Sequence, residues 1–400
     1  MKKSLTLVFL MGGVLGCASL FGMHAAHKGE QRAVYGVVQS IPTERLNRVT
    51  PLLESTSPTG GASFDRSGKT LFTANFQGLA TAYDLRDQSE RWRMHSDESL
   101  TMTPYYLERG AAPGVKVPLV IEGTQEGKLF ALRASDGVQE WNYDFGGELR
   151  QPPVLADGRL LAVSSRNQLG AFDAATGKWL WQYNREFPVN MTVYGHSGVA
   201  VKNGTAYVGF SDGFVCGVNT SDGLVKWARP LTLKGQGFSD SDTTPEIIGD
   251  KVYAASFEDG VYAMRADTGE VVWQLNFPGV TRLAAHDPYL FAASTNGELW
   301  AIDADTGLAV WKFKYPAAEV TKPIVYHGYV ILGTRPGGLY VVQEDSGEPV
   351  QSLQAGGVTG ELSVAQGQLG FMSEDSNVYV LRYGAASSVL MNAQHRFVGL

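Results

Sequence analysis

A chain of 400 residues with 44% hydrophobic and 18% charged side chains can bury a large core. Its 47 glycines and 11% aromatics suit many short strands joined by tight turns. The formal charge of −7 argues against nonspecific nucleic-acid binding, because phosphate neutralisation needs a basic surface.

The chain opens on Lys2 and Lys3, followed by an apolar run from Leu5 to Leu15 that is too short to span a bilayer comfortably. The run ends in Val14-Leu15-Gly16-Cys17, which resembles a bacterial lipoprotein signal, with Leu15 bulkier than the small residue usual there. That resemblance implies cleavage after residue 16, lipidation of Cys17 and, because Ala18 follows instead of aspartate, an outer-membrane anchor. Loss of Lys2 and Lys3 lowers the lysine and arginine total from 33 to 31 against 40 acids, a mature charge of −9. The expected organisation is a signal over 1–16, a lipidated cysteine and tether over 17–45, a folded domain over 46–383 and a tail over 384–400. Cys216 is the one other cysteine. It sits at an alternating strand position and reads as a small buried hydrophobe.

A repeat then runs along the chain, with tryptophan as its ruler: Trp92, Trp141, Trp181, Trp227, Trp273 and Trp311. Eight residues before each lies Asp84, Arg133, Asp173, Asn219, Arg265 or Asp303. Four before it stands Gly137, Gly177, Gly223, Gly269 or Gly307, with Gln88 in the first copy. A seventh copy keeps Gly347 but has Gln351 in place of the tryptophan, and an eighth begins at 378–382. Successive copies are 38 to 49 residues apart, the period of propeller blades or solenoid units. Two further strand-like runs precede each hairpin, and four antiparallel strands per unit select a propeller. The expectation is all-β: an eight-bladed β-propeller with four-stranded antiparallel blades. The ring would close by pairing both chain ends, with "NRVTPLLES" at 47–55 supplying the missing outer strand. In this reading the glycines turn the chain at positive φ, and Asp173 and its equivalents bond turn backbone. Each tryptophan projects between neighbouring blades and buries roughly 150–250 Å².

The A-x-D-x-x-T-G-x-x-x-W pattern, as in "AFDAATGKWLW" at 171–181, resembles the repeat of pyrroloquinoline-quinone dehydrogenases, which also builds non-enzymatic propellers. With the lipoprotein signal, the length and "SDSDTTP" at 239–245, the chain resembles the BamB family of outer-membrane assembly lipoproteins. The resemblance implies a periplasmic-face scaffold that binds the periplasmic domains of the barrel-inserting subunit, BamA, through loops on two adjacent blades. Asp240 and Asp242 match one loop. Met191, Val193 and Tyr194 fall on the other, with Tyr194 replacing an arginine and so losing a charged fork of donors. Unfolded outer-membrane proteins are a further implied partner.

Plainer chemistry stands beside these assignments. Asp240 and Asp242 can cap a turn, and two carboxylates are thin for calcium. Met191 and Tyr194 can be ordinary loop packing. The seven histidines are scattered, no nucleophile elbow is present, and the glycine-rich pieces lack phosphate-loop spacing. No catalytic residue, metal or cofactor is therefore assigned. The alternative reading is an envelope propeller that binds a small ligand or peptidoglycan. A quinone-dependent dehydrogenase ranks below it, since the chain has no adjacent cysteine pair.

Overall fold

The structure, a computed structural model, describes residues 33–42, 60–186, 197–231, 241, 243–316, 319–354, 357–374 and 377–385, with backbone alone for 33–42, 384 and 385. Every regular element among them is a strand, and the strands form eight antiparallel sheets. The sheets are the blades of an eight-bladed β-propeller, numbered in chain order. Blade 1 spans 61–95, blade 2 105–144, blade 3 154–184, blade 4 199–230, blade 5 246–275, blade 6 280–314, blade 7 319–353 and blade 8 358–385.

Blade 3 illustrates the local logic. Val154–Ala156, Arg159–Ser164, Gln168–Asp173 and Trp179–Asn184 pair in sequence order. Asp173 fixes the last turn: its Oδ1 accepts from the Thr176 amide (2.9 Å) and the Thr176 hydroxyl (2.7 Å). Gly177 completes the turn at φ +67°, a conformation that excludes most side chains. Trp181 then pairs with Ala171, and a register shift follows at once. The same arrangement recurs in the other tryptophan blades, where Ala82, Ala131, Gly217, Ala263 and Ala301 face Trp92, Trp141, Trp227, Trp273 and Trp311. The repeat therefore opens on a small residue because an indole lies across it. In blade 7, where Gln351 replaces the indole, the facing residue is Val341.

Burial follows position in the blade. In blade 3 the first strand is half-exposed, the second and third strands are largely buried, and the outer strand buries little besides its tryptophan. One apolar cluster fills each of the eight joints between neighbouring blades. Blade 7 has a split first strand, Glu319–Val320 and Ile324–Tyr326, interrupted at Pro323, which has no amide to give to a ladder.

Closure of the ring differs from the expectation. The outer strand of blade 8 is Ala33–Pro42, paired with Asn377–Ala385 from Ala33↔Ala385 to Pro42↔Asn377. This stretch lies inside the segment read as tether, and 47–55 lies outside the described residues. The run AVYGVVQSIP carries no charge and is rich in valine, which suits a strand laid beside another. Blade 8 meets blade 1 through close backbone contact: a Cβ on Gly360, at φ +69°, would strike the Gly60 carbonyl.

Candidate partner-binding site

The residues expected to contact a partner fall on two inter-blade connections. Met191, Val193 and Tyr194 lie between blades 3 and 4, and Asp240 and Asp242 between blades 4 and 5. All five are outside the described residues. The feet of both connections are described, and they touch.

The first connection leaves blade 3 through Arg185. Its Nε donates to Asp212 Oδ2 at 2.5 Å and its Nη1 to the Tyr183 hydroxyl at 3.2 Å. The guanidinium lies 3.9 Å from the Phe214 ring centroid, a cation–π contact onto blade 4. Cys216 sits beneath this group, and burial pushes its thiol up to about 11, so it stays protonated and unreactive. Asn167 holds the next residue, donating from Nδ2 to the Glu186 carbonyl at 3.3 Å while its Oδ1 accepts from the Ser211 hydroxyl at 2.8 Å.

The connection re-enters at Ser197 and Gly198, and there it meets the end of the second. Ser197 Oγ donates to the Thr243 carbonyl at 3.1 Å, and the Gly198 amide donates to Thr244 Oγ1 at 2.8 Å. Thr243 Oγ1 in turn accepts from the Ala255 amide of blade 5 at 2.9 Å. Buried Ser241 donates its amide to the Phe210 carbonyl at 3.3 Å, and a Cβ on Gly209 would collide with the Ser241 carbonyl. Ser197, Gly198, Ser241, Thr243 and Thr244 thus bring the feet of the two connections together on one end of the propeller. The sequence was informative here for a different reason than its aspartates: in "SDTTP" the two threonines fasten the loop foot. Arg185, Asn167 and Ser197 carried no motif that could have marked them.

Comparison with known proteins gives the same architecture a family. The model described as outer membrane protein assembly factor BamB matches residues 75–313, more than half of the chain. The chain belongs to the BamB family. The BamB of Shewanella oneidensis is 28% identical over 299 residues, 72% of this chain and 75% of that one. The BamB of Yersinia pestis is 26% identical over 322 residues, 78% of this chain and 82% of that one. The crystal structure of BamB from Moraxella catarrhalis superposes with a TM-score of 0.72 at 21% identity, covering 87% of this chain and 100% of that one, and shares the fold.

The axial channel bears on the quinone chemistry that the repeat brings to mind. At the channel Lys322 of blade 7 pairs with Glu246 of blade 5, and Arg282 of blade 6 lies 3.7 Å from Glu361 of blade 8. Each pair skips a blade and so runs as a chord across the opening. Among the described residues no group of three histidines, cysteines or acids could hold a metal ion. These paired charges do not fit a metal-bound quinone.

Proposed function

We propose that this chain is a non-enzymatic scaffold lipoprotein of the outer-membrane β-barrel assembly machinery. In this reading Cys17 anchors it to the periplasmic face of the outer membrane, and the propeller holds the periplasmic domains of BamA. Family membership carries the proposal, since the relatives are named outer membrane protein assembly factors. The joined loop feet support the location of the site. The feet of the two connections are fastened to each other at Ser197–Thr243 and Gly198–Thr244, which would let both act as one surface instead of two independent ones. Asp240 and Asp242 would supply charge to that surface and Met191, Val193 and Tyr194 an apolar and aromatic contact, with clients arriving as unfolded outer-membrane proteins.

A pull-down from membranes of the native organism tests this. Mature protein is expected to recover the barrel-inserting subunit by mass spectrometry, and Asp240→Arg/Asp242→Arg to lose it while keeping the far-UV circular dichroism of the parent. Recovery with neither protein would leave the fold without this function, and the envelope ligand-binding reading would take its place.

A further inference from the structure

The eight joints of the ring are not built alike. At six of them the tryptophan of one blade reaches the hairpin turn of the next. The indole Nε1 of Trp92 donates to the Ala134 carbonyl (3.0 Å), Trp181 to Thr220 (3.1 Å), Trp227 to Ala266 (2.9 Å), Trp273 to Ala304 (3.0 Å) and Trp311 to Glu344 (2.9 Å). The turn glycine of the next blade lies under each ring, Gly177 under Trp141 included, where a Cβ would overlap the indole. These staples run from blade 1 to blade 7 and stop. The tryptophan position holds Gln351 in blade 7 and, by register with Val380, Gln39 in blade 8. The turn of blade 1 that would receive a ring from blade 8 has Gln88 at φ +62°.

The two joints that flank blade 8 keep an apolar cluster but have no indole staple, and polar contacts stand in its place. Toward blade 7, Arg335 pairs with Glu374, and the Lys322 amide donates to Glu361 Oε2 at 3.1 Å. Toward blade 1, Gln366 Nε2 donates to the Arg66 carbonyl (3.3 Å), Gln368 Nε2 to the Gly68 carbonyl (2.8 Å), and the Phe64 amide to Ser363 Oγ (3.3 Å). Glu361 ties blade 8 across the axis to Arg282, and its amide donates to Oγ1 of Thr103, in the connection between blades 1 and 2, at 3.2 Å. Half-exposed contacts of this kind exchange readily for water and each contributes little net stability, whereas a buried indole contributes through area as well as its hydrogen bond. Blade 8 is also the one blade assembled from both chain ends, so no hairpin joins its outer strand to its third.

We infer that blade 8 is the release point of the ring: it opens as a unit, with 33–42 and 358–385 leaving together, before any other blade loosens. Opening uncovers Phe64, Leu71 and Tyr83 on blade 1 and Ile331 and Leu339 on blade 7. The inference is independent of the partner reading, because it rests only on contacts within the ring.

Amide hydrogen exchange followed by mass spectrometry on the mature protein reads it directly. Peptides from 377–385 and 33–42 should exchange together, at least about tenfold faster than the equivalent third strands at 168–173 and 214–219. Raising salt to about 1 M should widen that gap, since ion pairs at Arg335 and Glu361 are screened. Glu361→Ala should accelerate exchange in blade 8 selectively, Glu361→Gln less so because an amide oxygen still accepts from Lys322, and Trp181→Phe should act at blades 3 and 4 alone. Blades 3 or 4 exchanging with or ahead of blade 8 in the parent protein would overturn the inference. So would an equal acceleration of all blades by Glu361→Ala. Should that variant fail to fold, the parent comparison still decides.

Discussion

A single tryptophan position shows how residues cooperate across a joint. Trp181 needs Ala171 opposite it within its own blade and Gly223 beneath it in the next. Trp181→Ala is expected to cost about 3–5 kcal/mol in urea-induced unfolding, the range for emptying a buried indole site. Gly223→Ala should destabilise the parent as well, because its Cβ would lie 2.6 Å from Trp181 Cε3 at φ +76°. The steric part of that cost vanishes once the ring is gone. The double variant should therefore lose less than the two single variants combined, and strict additivity would show that the two residues do not touch. Glu122 is the opposite case, a residue at odds with its site. It is fully buried on the second strand of blade 2, and neither carboxylate oxygen has a hydrogen-bond partner among the described residues. Burial drives its carboxyl well above the usual range, so the folded protein holds it neutral. The unfolded chain ionises it first, and stability falls as pH rises past the ordinary glutamate value. Glu122→Gln should be more stable than the parent at neutral pH, with the gap closing near about pH 4, where both states are protonated. A gap independent of pH would mean that the carboxyl titrates alike in the folded and unfolded chains.

At the scale of the strand and hairpin, most of the fold was readable because the repeat combines three independent demands. An aspartate or asparagine that bonds turn amides, a glycine at positive φ and a tryptophan four residues past it leave few other structures open. The closing strand was not readable. Ala33–Pro42 contains no tryptophan, no turn glycine and no aspartate, since its outer edge receives no staple and no hairpin precedes it. Its only mark is a charge-free, valine-rich stretch among weaker segments, and such a stretch is ambiguous without its partner. The loop feet were hidden for a different reason: Ser197, Thr243 and Thr321 each accept a hydrogen bond from the amide twelve residues ahead, but the position alternates between serine and threonine and has no fixed neighbours to mark it. A variant beginning at residue 43 leaves Asn377–Ala385 as an open edge of nine residues. It should melt lower than the parent and form oligomers by size-exclusion chromatography with light scattering, as exposed edges do. A monomer of unchanged melting temperature would show that another segment covers that edge.

The whole molecule has two unlike ends. Outer strands begin at the end where the Asp-Gly type turns lie, carrying Asp87, Asp136, Asp173, Asp222, Asp267, Asp305 and Asp345, and finish at the end where blades connect. Ala33 begins the outer strand of blade 8, so the N-terminal segment enters at the acidic end, and the joined loop feet at Ser197 and Thr243 sit at the other. Fifteen residues separate Cys17 from Ala33 and reach at most about 55 Å when fully extended. If Cys17 is lipidated, the acidic end faces the membrane surface, with several of its aspartates paired to Arg86, Arg133, Arg265 and Lys251. The tether then sets how far the loop end stands from the bilayer, a distance that includes the roughly 20 Å height of a six-residue blade. Deleting residues 20–30 should therefore reduce recovery of the barrel-inserting subunit from membranes, while the same deletion in a protein lacking Cys17 should leave binding in detergent solution unchanged. Equal loss in both settings would place residues 20–30 in the binding surface itself. Full recovery in both would show that the docked end lies next to the anchor, and the loop end would no longer be the docking face.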